Sequence, residues 1–298
     1  MLISDFETYL SLRRAGGFDL RKDMFLLRNF ARFAGERNET HVKTSLAIEW
    51  AAKTTSVAQR AHRLKAVIRF AQYLRLEDNR HQLPPGGVFG HHRQRPVPYI
   101  FQNTEVKALV EHTAGLPSFD PLRRHAFSFL FGLLAATGLR ISEALALRLD
   151  DLTENGLLIR RTKFHKSRIL PLHETTAKAL ETYCLYHRPK LENDHLFISA
   201  VGKTLSYFVV REALRAVAKS MRLPARAARL HNFRHTFAVR ALENSPESRD
   251  RIARHMLAVS TYLGHARVSD TFWYLRSTPQ LMIDITEAGE RFLEGRTA

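Results

Sequence analysis

The chain has 298 residues, room for one large or two smaller domains, and 45% of them are hydrophobic, so material for a core is present. Lys and Arg number 46 against 29 Asp and Glu, a formal net charge of +17, which points to a polyanionic partner, most often nucleic acid. The one cysteine, Cys184, excludes an intramolecular disulfide and a cysteine-based zinc cluster, and no basic amphipathic helix or lipidation signal marks a membrane surface.

In chain order, residues 3 to 78 read as helical. Asp5 and Glu7 stand near the start with no long apolar run, so a signal peptide is not expected. Phe6, Tyr9 and Leu10 open a first amphipathic stretch that Gly16-Gly17 stops. Leu20 to Ala34 is a second, with Met24, Leu27, Phe30 and Phe33 at helical spacing, and Gly35 ends it. Thr44 is placed to cap a short helix carrying Leu46, Ile48 and Trp50, and Ser56 to cap a longer one reaching Leu76. A basic bundle of this kind either grips DNA or merely carries solvated charge. Residues 79 to 98 change character: the breaker cluster His81-Gln82-Leu83-Pro84-Pro85-Gly86-Gly87 leads to His91-His92-Arg93-Gln94-Arg95-Pro96. Proline, glycine and basic residues without periodicity read as an extended linker. The adjacent histidines lack partner ligands for a metal. The expected domains are therefore a helical one over 1–83, a linker over 84–98 and a second domain over 99–298.

A helix is expected from Thr104 through His112 and a strongly apolar one over Pro121 to Thr137; its longest apolar run is short of the ~20 residues of a membrane span. Gly138 breaks that helix and Ser142-Glu143 restart one, which places Arg140 at a junction beside a helix N-terminus, where backbone N–H groups favour an anion. Gly156 to Arg161 and Arg168 to Leu172 read as strands joined by a hairpin loop with two lysines, Lys163 and Lys166. Glu174 to Tyr186 reads as a helix, Leu196-Phe197-Ile198 as a strand-like piece, Leu205 to Met221 as an amphipathic helix, and Pro279 to Phe292 as a helical tail. The fold class is mainly α with a small β-hairpin or sheet.

The stretch from Leu230 to Leu275 carries the chemistry. His231 and Arg234 stand three apart, so they share one helix face. Leu263-Gly264-His265 follows, and Tyr274 lies nine residues beyond His265. Arg and His together suit an anion, because both donate charged hydrogen bonds to phosphate oxygens, and a tyrosine hydroxyl beside such a site can act as a nucleophile. His231 and His235 have chelate spacing but lack the glutamate of metalloprotease helices, and no glycine-rich phosphate cradle is present.

Thr137-Gly138-Leu139-Arg140-Ile141-Ser142-Glu143, the Lys163 hairpin, His231-Asn232-Phe233-Arg234-His235-Thr236, Leu263-Gly264-His265 and Tyr274 together resemble the tyrosine recombinases, the phage integrase family. The resemblance covers residues 99 to 278; the N-terminal helices and the linker resemble the family's core-binding domain only in type. It implies a C-shaped clamp on double-stranded DNA, a specific recombination site, a homotetramer on two sites with the C-terminal helix packing on a neighbour, and an enzyme with no metal, nucleotide or other cofactor; the lack of a signal peptide or membrane span in the sequence leads to the expectation of a cytoplasmic, nucleoid-associated protein. The segment between Arg240 and Tyr274 resembles recombinases of mobile elements.

The resemblance also implies roles. Arg140 and Arg234 clamp the phosphate, Tyr274 attacks it to form a 3′-phosphotyrosyl link, His231 assists, and His265 bonds a phosphate oxygen. Lys163 protonates the leaving 5′-oxygen, with Lys166 the alternative. The transition state spreads negative charge over non-bridging oxygens, so positioned positive donors are what it needs. An ion pair between Arg140 and Glu143, and a core role for Tyr274, are the plain structural alternatives. A DNA-binding protein without turnover and a monomeric nicking-closing enzyme are the rival functions.

Overall fold

The periodic stretches become helices whose ends follow local chemistry. The computed structural model describes residues 2–18, 21–90, 97–115, 121–160, 167–188, 190–243, 249–265 and 267–275. The chain divides into two compact units, 1–96 and 97–298.

The first unit holds α1 (Leu2–Ala15), α2 (Arg21–Gly35), α3 (Thr44–Ala52) and α4 (Val57–Leu74). Ser56 caps α4, its hydroxyl accepting from the Gln59 amide at 3.4 Å. Thr44 is instead the first helical residue of α3, after Lys43, and α4 stops at Leu74, two residues before Leu76. Phe6, Leu10, Leu27, Phe30, Trp50 and Phe70 form a buried core. Trp50 buries its polar edge by donating to Asn29 at 2.8 Å, which removes the cost of an unpaired indole N–H. Some of the basic residues are engaged inside the unit: Arg69 pairs with Asp23 at 2.6 Å and Arg28 with Glu7 at 3.0 Å.

The second unit holds α5 (Asn103–Ala114), α6 (Pro121–Thr137), α7 (Ile141–Ala146), β1 (Leu152–Thr153), β2 (Gly156–Ile159), β3 (Arg168–Leu170), α8 (Glu174–Thr182), α9 (Tyr207–Ser220), α10 (His231–Glu243), α11 (Arg249–Leu263) and α12 (Ser269–Leu275). The strands form an antiparallel sheet in the order β1-β2-β3, with Leu157 opposite Leu170 and Ile159 opposite Arg168. The short β1 has no signal in the sequence reading, because two residues carry no alternation. The helix expected to Tyr186 ends at Thr182, where a π-type turn takes over through His187. The Leu196–Ile198 piece makes only isolated bridges around it, Arg148 to His195 and Ile198 to Thr204.

Helix α10 runs through the middle of this unit and is buried over most of its length. Phe233 is fully buried and stacks on Phe101 (5.1 Å between ring centroids) and on Phe131 of α6 (5.7 Å). Burial of one such ring contributes about 1.5–3 kcal/mol. Asn232 fixes the start of the helix by donating to the Arg226 carbonyl at 2.7 Å and the Ala227 carbonyl at 3.1 Å. The helical phase of α10 is thus set by apolar packing, and the His231–Arg234 face follows from it. Among the described residues, no helix is long and apolar enough to cross a membrane.

Candidate active site

The site is built around two helix ends, because a helix leaves its last carbonyl oxygens without intrahelical donors. Helix α11 ends in a Schellman arrangement: the Gly264 amide bonds the Thr261 carbonyl at 2.9 Å and the His265 amide bonds the Ser260 carbonyl at 3.0 Å. Gly264 has φ +66°, the left-handed conformation that this cap requires. Leu-Gly-His is therefore a helix terminator that aims a histidine.

Three arginines converge on the carbonyls of this last turn. Arg234 donates to Leu263 at 2.7 Å and also to Gly138, the residue that ends α6, at 2.9 Å. Arg140 donates to Gly264 at 3.0 Å and to Leu263 at 3.5 Å. Arg168 of β3 donates to Tyr262 at 3.1 Å. Gly138 has φ +62°, and a Cβ there would lie 2.7 Å from the Phe237 ring, so only glycine fits the turn that presents its carbonyl to Arg234.

Glu143 ties the arginines together. Its carboxylate accepts from the Arg140 backbone amide at 3.0 Å and from the Arg140 guanidinium at 2.8 Å. It also accepts both prongs of Arg168, at 3.2 and 3.1 Å. Burial alone raises its pKa, but the hydrogen bonds and charge of Arg168, followed by those of Arg140, outweigh this and hold it below the ordinary carboxylate value. The N-terminus of α7, expected to receive an external anion, is occupied by this carboxylate. The Arg140–Glu143 ion pair thus exists, and Arg140 remains part of the site, with about a third of its side chain exposed (30%).

Arg234 is 1% exposed. Burial, then repulsion from Arg140, brings its pKa down to about 10, and Tyr274 and Glu143 pull in the opposite direction; it stays charged at neutral pH. Tyr274 is 4% exposed, packed on α12 with Val239, Leu242 and Leu263, so the core placement weighed for it from the sequence is also real. Its ring lies parallel to His265 (13°, centroids 5.8 Å apart), and the His265 Nδ1 pairs with the Thr271 hydroxyl at 2.8 Å. His231 reaches this cluster through His235: the two imidazoles are 4.5 Å apart, and His235 is 5.3 Å from Tyr274.

Partial burial first, then the charges of Arg234 and Arg140, hold His265 at about 4. The same causes hold His231 at about 4, although His231 keeps exposed surface. Both imidazoles are neutral at pH 7, able to accept a proton and to donate one hydrogen bond each.

Five of the six expected residues, Arg140, His231, Arg234, His265 and Tyr274, lie in this cluster. Lys163 and its alternative Lys166 lie outside the described residues, as do His91-His92 and the tail from Pro279. Three other tyrosines of this unit have different surroundings. Tyr262 donates to the Pro171 carbonyl at 3.4 Å, Tyr183 packs between Phe129 and Phe197, and Tyr207 is exposed at the start of α9. Sequence reasoning gave Glu143 only a helix restart and a pairing with Arg140, His235 only a chelate spacing with His231, and Arg168 no role. The one signal for Arg168 was its place at the start of the strand that leaves the lysine loop.

Among the described residues, one histidine–carboxylate group has metal-ligand chemistry, His41, Asp78 and His81 in the first unit, with donor atoms within 4.8 Å of one another. Each is already engaged: Asp78 holds His41 at 3.1 Å and Arg80 at 2.8 Å, and His81 accepts the Val42 amide at 3.1 Å. It latches the segment before α3 to the turn after α4.

The model of the phage integrase family matches residues 100–280. The chain belongs to the phage integrase family. This integrase-family chain is 34% identical to "Putative integrase/recombinase y4rB" of Sinorhizobium fredii, with 98% of each chain covered. It is 31% identical to the tyrosine recombinase XerD of Halalkalibacterium halodurans over 76% of this chain and 73% of that one. Its fold is that of XerH site-specific recombinase in a post-cleavage complex with difH substrate (TM-score 0.68, 19% identity, 90% of this chain and 78% of that one). It is also that of the transposon Tn1549 integrase in complex with a circular intermediate DNA (TM-score 0.65, 16% identity, 98% and 99%). The chain is a tyrosine recombinase, a DNA strand-exchange enzyme of the site-specific class.

Proposed function

We propose that this recombinase cleaves and rejoins double-stranded DNA through a 3′-phosphotyrosyl intermediate, with Arg140 and Arg234 as phosphate clamps, Tyr274 as nucleophile, and His231, His265 and Lys163 as proton-handling and phosphate-binding groups. The observation that carries the reading is the convergence of Arg140 and Arg234 on the Leu263 carbonyl next to the stacked His265–Tyr274 pair: two cations fixed by helix-end carbonyls stand in one cluster with a phenol and a neutral imidazole.

The step balances without a cofactor. The Tyr274 oxygen bonds to phosphorus, and the bond to the 5′-oxygen breaks. The phenol proton passes to a neutral histidine, and the leaving 5′-oxygen takes a proton from the lysine of the β2–β3 hairpin, Lys163. Arg140 and Arg234 neutralise the oxygens on which charge develops, which is where fixed donors lower a barrier most. The phosphotyrosyl link keeps the energy of the phosphodiester, so a 5′-hydroxyl of a second strand can reverse the step.

We assign DNA gripping to the helical unit with its basic linker over 84–98, and assembly as a tetramer on two sites. The formal charge of +17 supports a polyanionic partner. Relatives named as integrases support a role in a mobile element, in the DNA-containing compartment of the cell.

The test is covalent trapping. Wild type and Tyr274→Phe are incubated with sheared genomic duplex from the source organism, denatured, and the protein-linked DNA is sequenced. Adducts from wild type alone, enriched at one sequence, are expected. Adducts at normal yield from Tyr274→Phe remove the nucleophile assignment. No adduct from either, with salt-sensitive DNA binding retained, makes the chain a binding protein without turnover. Relaxation of supercoiled DNA by single protomers without synapsis makes it a nicking-closing enzyme.

A further inference from the structure

We propose that Arg168 is a positioning residue for strand cleavage: it holds Glu143, and through it Arg140, while fastening the His265 corner to the strand that leaves the lysine hairpin. The inference rests on the proposed phosphoryl-transfer chemistry and deepens it.

Four observations converge on this side chain. Both its prongs meet the Glu143 carboxylate, and its Nε meets the Tyr262 carbonyl, so one planar group joins β3, α7 and the end of α11. The arrangement is enclosed: the Arg168 side chain is 15% exposed and that of Glu143 is 8%. A two-pronged guanidinium–carboxylate pair fixes direction as well as distance, which a lysine cannot reproduce. Finally, a Cβ at Gly264 would lie 2.6 Å from the Arg168 Nη1, so the left-handed corner before His265 is built against this guanidinium.

The charge arrangement gives the contact a consequence for chemistry. Glu143 is shared between two guanidinium groups. With Arg168 present, the carboxylate is held from two sides, and the trio keeps one net positive charge for a phosphate. Without Arg168, the buried carboxylate has Arg140 as its remaining guanidinium partner and draws that guanidinium onto itself. Arg140 then faces the phosphate misplaced and with its charge cancelled. The three Arg168 donors point at protein acceptors, so its part is to position Arg140 and His265.

Register adds a second link. Arg168 opens β3, directly after the hairpin loop, and pairs with Ile159 across the sheet.

The experiment uses full-length protein and the duplex recovered by trapping, nicked so that the released end diffuses away. Single-turnover cleavage at saturating protein, the dissociation constant for the same duplex and the melting temperature are measured for wild type, Arg168→Lys, Arg168→Gln, Glu143→Gln and the Glu143→Gln/Arg168→Gln double variant. Arg168→Lys, folded as wild type, is expected to cleave about 10²-fold more slowly, the scale of a 1 Å misplacement, with its dissociation constant within threefold of wild type. The double variant is expected to cleave no more slowly than Glu143→Gln alone, because the two residues act as one unit. The inference is overturned if Arg168→Lys and Arg168→Gln cleave at the wild-type rate. It is equally overturned if rate, affinity and folded fraction fall together in both, which marks a purely structural brace. Wild type that forms no adduct on any duplex overturns the proposed function itself, and Tyr274→Phe on the same duplex separates the two failures.

Discussion

Arg140 and Arg234 donate to the same oxygen, the carbonyl of Leu263, at 3.5 and 2.7 Å. Two like charges are thereby held side by side on the negative end of a helix, which offsets their repulsion before any phosphate arrives. The end of α11 is the floor of the site.

Removal of Arg234 therefore has two effects. Arg234→Ala leaves the Gly138 and Leu263 carbonyls without that donor, at about 1–3 kcal/mol for each buried group left unmade. It also removes a donor to the transition state, an effect of about 10²–10³ in rate. We expect a lower denaturant midpoint, near-normal DNA affinity and cleavage lost by that factor. Weaker binding with intact cleavage of bound DNA would reduce Arg234 to a backbone contact.

Gly264→Ala tests the corner. The left-handed conformation costs a non-glycine residue about 1–2 kcal/mol, and the added carbon meets the Arg168 guanidinium, which cannot swing away without releasing Glu143. The expected outcome is a loss of stability beyond the backbone cost and slower cleavage. Unchanged melting by calorimetry would contradict the packing described for this corner.

The neutral histidines predict a pH dependence. His231 and His265 lie at about 4 in the fold against an ordinary 6.5. The unfolded chain binds more protons between those values, so stability is complete above 6.5 and is lost as pH falls toward 4. Urea midpoints at several pH values should fall on acidification through this window, and His265→Gln should flatten the slope. A slope identical in the two proteins would remove His265 from the effect.

Affinity for duplex DNA should drop steeply with salt, since each phosphate contact releases counterions. A titration at graded potassium chloride checks this, and a flat response would count against DNA as the partner.

Much of this site was legible before any coordinates. Order and spacing of the Arg140, His231–Arg234, Leu-Gly-His and Tyr274 segments carried the family, because a left-handed glycine at a helix end and two residues three apart on one face are local geometry that the chain writes directly. The helical character of 3–78 was readable for the same reason, through apolar periodicity. Errors fell at boundaries: Thr44 against Lys43 at the start of α3, Leu76 against Leu74 at the end of α4. Neighbouring side chains compete there with similar local energies.

The sequence by itself determined which residue types could meet a phosphate and how each was presented on its own element. The tertiary structure alone decided how they are held: that Glu143 fills the α7 N-terminus, that Arg168 joins it from a strand, and that Tyr274 is packed in the core with its ring parallel to His265. The reason is range. Capping, turns and helix faces depend on neighbours a few residues apart, whereas Arg168 meets Glu143 and Tyr262 only when the packing of α10 and the register of β3 against β2 have brought distant segments together.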